Sequence, residues 1–152
     1  MSLLDGPVAA DHDPAMLKTT LLHPGIVSAL GRAGHGSTVL ISDGNYPHST
    51  GTKPGADLVF LNLRPGLVAV DDILGAVLTA VPVESAFVMS PGEGPEPDIF
   101  PIFRQHLAPV ALTPLDRFAF YDKAREPDLA LAIASGDTRL YANILLTIGV
   151  VS

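Results

Sequence analysis

"GHGSTVLISDGNYP", residues 34–47, is the stretch on which the reading of this chain turns. Its middle, Thr38 to Ser42, is a short run with apolar residues on both faces. That pattern predicts a strand covered on both sides, in a parallel position. Polar residues close each end: His35 set between two glycines before it, Asp43-Gly44-Asn45 after it. Titratable groups at the ends of a buried strand are costly unless they are paired or used. The two ends of this strand are therefore the first places to look for chemistry.

Upstream, Pro24 suits the first position of a helix, where its missing N–H costs nothing. Ile26, Val27, Leu30 and Ala33 then share one helical face, with Gly34 as a left-handed stop. Downstream, residues 44–56 read as loop, dense in Gly, Pro, Ser and Thr. A strand is predicted over Leu58–Leu63, closed by Arg64-Pro65-Gly66. Asp71 or Asp72 can cap a helix running to about Ala80, with Ile73, Leu74, Val77 and Leu78 as its buried stripe. Ser85–Met89 is a further apolar strand, Ser90–Asp98 is turn chemistry, and Ile99–Leu107 is a short helix.

Thr113-Pro114-Leu115-Asp116 has the form of a helix start, with Thr113 as cap and Pro114 in the first position. The helix would run through RFAFYDKARE. Strands at Ala130–Ala134 and Tyr141–Ile148 close the chain, joined by a turn at Ser135-Gly136-Asp137. Strands alternating with helices predict an α/β class: a mostly parallel or mixed sheet flanked by helices. Residues 1–15 are expected to be a poorly ordered tail, with Met16 an alternative start and His12 of no consequence. Residues 16–152 form one domain without an internal repeat.

Composition narrows the function. The chain of 152 residues is 47% hydrophobic and only 16% charged, so it folds around a core, and its charge-poor surface predicts burial in an oligomer. A net charge of −7 with no basic cluster excludes nucleic acid and anionic membranes as expected partners. The absence of cysteine removes disulfides, thiolate nucleophiles and Cys-based metal sites. Residues 1–15 lack the pattern of a signal peptide, and no apolar run reaches the length of a membrane span. The glycines match neither the dinucleotide fingerprint nor the phosphate loop. His23, His48 and His106 have no metal-ligand spacing, and Ser37 and Ser42 lack a nucleophile-elbow context.

The candidate residues each carry two readings. An imidazole can both give and accept protons near neutrality, and the glycines leave His35 uncrowded, which suits proton transfer; a turn histidine bonding a carbonyl is the alternative. Asp43 sits at the carboxyl end of a strand, where open α/β sheets bind ligands, yet Asp-Gly is also ordinary turn chemistry. An extended path would separate His35 from Asp43 by roughly 26 Å. They meet within one chain only if Gly36-Ser37 folds back; otherwise the site joins two subunits. Tyr141 and Asn143, two apart in the predicted strand, share one face and offer donors and acceptors suited to sugar hydroxyls, or form an exposed strand face. Arg117 is either a ligand contact or a surface ion-pair residue. Phe118, Phe120 and Tyr121 suit core or interface.

Taken together, MLKTTLLHPGIVSAL, GHGSTVLISDGNYP, DRFAFYDKARE and SGDTRLYANILLTIGVV resemble the ribose pyranase/fucose mutarotase family (RbsD/FucU), over Met16 to Val151. The RFAFY segment is more similar to the fucose branch. The resemblance implies a three-layer α/β/α fold and a monosaccharide mutarotase, with His35 as proton donor. Asp43, Arg117, Tyr141, Ala142 and Asn143 would contact the sugar. It further implies a cofactor-free, metal-free, cytoplasmic protein forming ring-shaped homo-oligomers, commonly decamers, with sites at subunit contacts. Two stretches depart from the family pattern: Asp43-Gly44-Asn45-Tyr46, and the central PGEGPEPDIF. Either can touch the sugar, so L-fucose or a related sugar stands beside D-ribose, and beside a monosaccharide-binding accessory protein of a sugar-uptake system that does not catalyse.

Overall fold

The computed structural model describes residues 17–152, and the expectations for the tail, its His12 and Met16 lie outside them. Among these residues, four helices and six strands follow in the order α1 (Pro24–Arg32), β1 (Thr38–Ser42), β2 (Asp57–Phe60), α2 (Val70–Leu78), β3 (Val83–Met89), α3 (Ile99–Leu107), β4 (Leu112–Leu115), α4 (Arg117–Ala124), β5 (Leu129–Ala134) and β6 (Ile144–Ile148). The strands make one sheet of order β2-β5-β1-β6-β3-β4. β1, β2 and β5 run parallel, as do β3 and β4, while β6 runs antiparallel to both β1 and β3. The sheet is thus mixed, with one reversed strand at its centre.

β1 is buried at all five residues, as its two-faced apolar pattern predicts. Val39 and Ile41 face a large core with α1, α2 and α3, joined by Leu131, Ile133, Ile144, Leu146 and Phe103. Leu40 faces the other way, into a smaller core with Phe120 and Ala124 of α4, Leu129, Ala132 and Leu145. Alternation along the strands therefore feeds two layers of helices, three on one face and one on the other. No helix among the described residues is long and apolar enough to cross a membrane.

Several boundaries differ from the sequence expectation. Pro24 does open α1, but the cap is His23, whose Nδ1 accepts from the N–H groups of Gly25 and Ile26 at 3.1 and 3.3 Å. The helix ends on an extended Ala33, and the left-handed residue is Gly36 (φ +88°), not Gly34. β2 stops at Phe60 instead of Leu63, because the chain then folds back so that Leu63 N–H bonds Leu67 O. α2 is not capped by Asp71 or Asp72, which lie within its first turn. Its Val70 N–H is bonded by the Asp137 carboxylate from far along the chain, at 2.9 Å.

Thr113-Pro114 does not start a helix. Leu112–Leu115 is an edge strand paired with β3, where a proline lacking an N–H is tolerated. Asp116 is the cap of α4, its Oδ1 accepting from Ala119 N–H at 2.8 Å. The last strand begins at Ile144, not Tyr141. Tyr141 has φ +60°, which no strand residue adopts, so the shared strand face expected for Tyr141 and Asn143 does not exist.

Candidate functional site

Where β1 ends, β6 begins, because the two strands lie side by side and run in opposite directions. This brings Asp43, just past β1, against Asn143, just before β6. Asn143 Oδ1 accepts from Asp43 N–H at 2.8 Å, and Asn143 Nδ2 donates to Asp43 Oδ2 at 3.3 Å. Asp43 Oδ1 also accepts from Asn45 N–H at 2.9 Å, the local turn that Asp-Gly-Asn favours. Both side chains are almost fully buried. Burial pushes the Asp43 carboxyl above the usual aspartate range; the N–H of Asn45 and the amide of Asn143 offset this only in part.

A cleft of about 330 Å³ opens over this pair. Arg117, the first residue of α4, reaches its rim, with Nε donating to Tyr121 Oη at 3.2 Å and its guanidinium 5.5 Å from the Tyr121 ring centroid. Tyr141 and Asn143 line the same cleft. Four of the expected contacts, Asp43, Arg117, Tyr141 and Asn143, therefore converge in one chain. Ala142 lies between two of them, but its side chain is fully buried in the larger core and does not line the cleft. The lining also includes Asn45, Tyr46, Met89, Tyr121 and Leu140. Sequence reasoning missed these as site residues, although Asn45 and Tyr46 stand within the stretch that singled out Asp43. The Tyr46 hydroxyl is committed to Gly51 O at 2.6 Å, and burial pushes that phenol far above its ordinary range.

The segment carrying Tyr141 is held by Arg139. Its guanidinium bonds Asp137 at 2.6 and 3.0 Å and Asp71 of α2 at 2.5 Å. Burial pushes Asp137 up, but Arg139 and two backbone N–H groups outweigh it and hold the carboxyl below its ordinary value. Gly136 passes so close to the carbonyls of Arg64 and Leu67 that any Cβ there would overlap them.

His35 is not in this cleft. It precedes β1, at the opposite end from Asp43, and β1 alone spans about 17 Å. Gly36-Ser37 does not fold it back: Gly36 N–H bonds Ile148 O at 2.9 Å and Ile148 N–H bonds Ser37 O at 2.9 Å, tying the turn to the far end of β6. The imidazole is more than half exposed, with Nε2 at 3.1 Å from the Glu84 carboxylate. His48, not expected to act, is half-buried with its Nε2 hydrogen-bonded to Ser42 Oγ, and burial lowers its pKa. Among the described residues no three His, Asp or Glu side chains gather as a metal-binding group. The cleft's own chemistry is a buried carboxylate, a guanidinium, a phenol and a carboxamide, which suits a small polyhydroxylated ligand.

Known proteins resemble this chain over most of its length. A D-ribose pyranase from Paracidovorax citrulli is 33% identical over 135 residues, covering 89% of this chain and 98% of its own. A fucose mutarotase from Danio rerio is 29% identical over 145 residues, covering 87% and 91%. The crystal structure of a Streptococcus pneumoniae fucose mutarotase in complex with L-fucose superposes with a TM-score of 0.75 at 26% identity, covering 90% of this chain and 99% of that one. The model of the RbsD / FucU transport protein family matches residues 16–151. With the family model matched over residues 16–151 and a relative 33% identical across 89% of this chain, the protein belongs to the RbsD/FucU family.

Proposed function

We propose that this protein is a monosaccharide mutarotase that opens and recloses the sugar ring by acid–base catalysis, acting on L-fucose or a related sugar. The observation that carries the reading is the convergence of Asp43, Arg117, Tyr141 and Asn143 on one cleft. Each can bond a hydroxyl, and together they fix a small sugar's orientation. Anomer exchange needs a proton delivered to the ring oxygen while the anomeric hydroxyl gives one up. In this proposal His35 delivers the first proton. The second leaves along a hydrogen bond to the Asp43 carboxylate as the C1–O bond to the ring oxygen breaks and the aldehyde forms. Reclosure reverses both transfers on the other face. Ala142, with its side chain buried in the larger core, has only its backbone to offer the sugar.

Since His35 and Asp43 occupy opposite ends of β1, the His35 serving a given cleft belongs to a second copy of the chain. The exposed apolar residues support this arrangement: Phe118 and Leu140, 70% and 71% exposed, stand beside Arg117 and Tyr141 at the cleft. A ring of copies, commonly ten in the family the sequence resembles, and a cytoplasmic setting belong to the same proposal. The fucose preference rests on the RFAFY segment, which places Arg117 at the cleft rim. The ribose pyranase named among the relatives at 33% identity favours D-ribose as the second reading.

Saturation-transfer NMR on the anomeric protons of L-fucose, D-ribose, D-galactose and D-glucose tests both, with His35→Ala as control. Faster exchange for one sugar, lost in the variant, supports the assignment and names the substrate. Calorimetric binding without faster exchange would turn the reading to a sugar-binding accessory protein. Mixing His35→Ala chains with Asn143→Ala chains tests the shared site: recovered activity supports it, and none favours a site within one chain.

A further inference from the structure

We infer that Glu84 is a positioning residue for His35, holding the imidazole as an Nε2–H donor so that Nδ1 is the nitrogen exchanging protons with the sugar. The inference rests on the proposed role of His35 as proton donor. His35 Nε2 lies 3.2 Å from Glu84 Oε1 and 3.1 Å from Oε2, on both lobes of the carboxylate at once. An ionised carboxylate only accepts, so the nitrogen facing it carries the hydrogen. In the neutral ring that leaves Nδ1 as the free base, and in the charged ring it leaves Nδ1–H as the free acid.

The backbone is built to make this pair. Val83 is in register with Ile148 of β6 and Ser85 with Thr147, so Glu84 is the extra residue of a bulge. Bulges re-aim a side chain, and here the side chain is the carboxylate that meets His35. The bulge sits over Gly149, where even a Cβ would touch Glu84 Cβ at 3.4 Å. Gly149 N–H bonds Pro82 O at 2.9 Å, and Gly36 N–H bonds Ile148 O at 2.9 Å. The two segments are thus anchored on adjacent residues, Ile148 at the end of β6 and Gly149 just past it. Gly36, at φ +88°, makes the turn that leaves the ring facing the bulge.

The test joins a spectroscopic and a kinetic readout. ¹⁵N-histidine NMR of the full chain, with His35 assigned by its loss in His35→Ala, should show the Nε2–H tautomer dominating the neutral ring. In Glu84→Ala the tautomers should mix, with kcat for sugar exchange falling roughly two- to five-fold and KM unchanged. Glu84→Gln, whose amide oxygen still accepts from Nε2–H, should restore both. Unchanged kcat in Glu84→Ala beside an inactive His35→Ala overturns the role of Glu84 alone. A kcat loss without a change of tautomer, or without rescue by Glu84→Gln, also overturns it. Full exchange in His35→Ala instead removes the proton-donor assignment, and the inference with it.

Discussion

Asn143 grips Asp43 at two points, accepting from its backbone N–H at 2.8 Å while donating to its carboxylate at 3.3 Å. One carboxamide thereby closes the β1–β6 junction and supports the one acidic side chain that lines the cleft among the described residues. In Asn143→Ala a buried N–H loses its acceptor, which costs about 1–3 kcal/mol. Urea unfolding should show that loss as a lower midpoint with an unchanged slope. Exchange of the preferred sugar should fall more steeply than stability, because the carboxylate loses its support as well.

The raised pKa of Asp43 gives the reaction a pH dependence with a definite sign. The carboxylate is the form that accepts a hydroxyl's hydrogen, so kcat/KM should decline on acidification with a midpoint above the ordinary aspartate value of 3.8. Folding responds in the opposite sense. A carboxyl whose folded pKa lies above its unfolded one favours the native state most when protonated. As pH rises from near 3.8 through the raised value, that contribution is lost. The stability of wild type relative to Asp43→Asn should therefore fall across this window and level off above it. A flat difference measured by urea titrations at several pH values would contradict the assignment.

How much of this was legible beforehand follows from what local sequence encodes. Asp43 was found because an acidic turn after a buried apolar run is a local pattern. That Arg117 would share its cleft was not local at all, and entered only through the family resemblance. Thr113-Pro114 was misread because a capping threonine followed by proline looks the same at a helix start and on an edge strand. Only the sheet order, which puts β4 outermost, separates the two. Tyr141 was misread because Tyr141-Ala142-Asn143 reads as an alternating extension of β6 upstream, and no residue type announces a non-glycine at φ +60°. Strand direction has no local signature either, so the reversal of β6, which joins Asp43 to Asn143, was out of reach.

Arg139 is the tie between α2 and the Tyr141 segment, and its removal should register in both stability and sugar affinity. Asp137 is 3% exposed, and in Arg139→Met its buried carboxylate would keep only backbone N–H donors and no counter-charge. Breaking a fully buried pair costs 3–5 kcal/mol; with Arg139 itself 34% exposed, about 2 kcal/mol is expected. The folded pKa of Asp137 is lowered in wild type, so the advantage over the variant is full above the unfolded value and is lost as pH falls through the folded one. Denaturation at neutral and strongly acidic pH should show the two proteins converging in acid. KM should rise while kcat changes less.

Tyr141 separates binding from folding. A non-glycine residue at φ +60° carries backbone strain of about 1–2 kcal/mol, and such strain persists where the surrounding structure holds it and function uses it. Here Asn143 and the Arg139 clamp hold the segment on either side, and the ring is presented to the cleft. Asparagine tolerates the left-handed region, so Tyr141→Asn should relieve strain while giving up the packing of the half-buried ring against the smaller core. The two effects oppose each other, and net stability should stay within about 1 kcal/mol of wild type. Sugar binding has no such compensation. Losing the ring should raise KM by roughly ten-fold or more, about the 1.4 kcal/mol that a lost hydrogen-bonding contact represents. Calorimetric titration of the preferred sugar beside urea unfolding distinguishes the cases. A parallel loss of stability and affinity would make Tyr141 a packing residue, whereas weak binding in a stably folded variant would place its ring in sugar recognition.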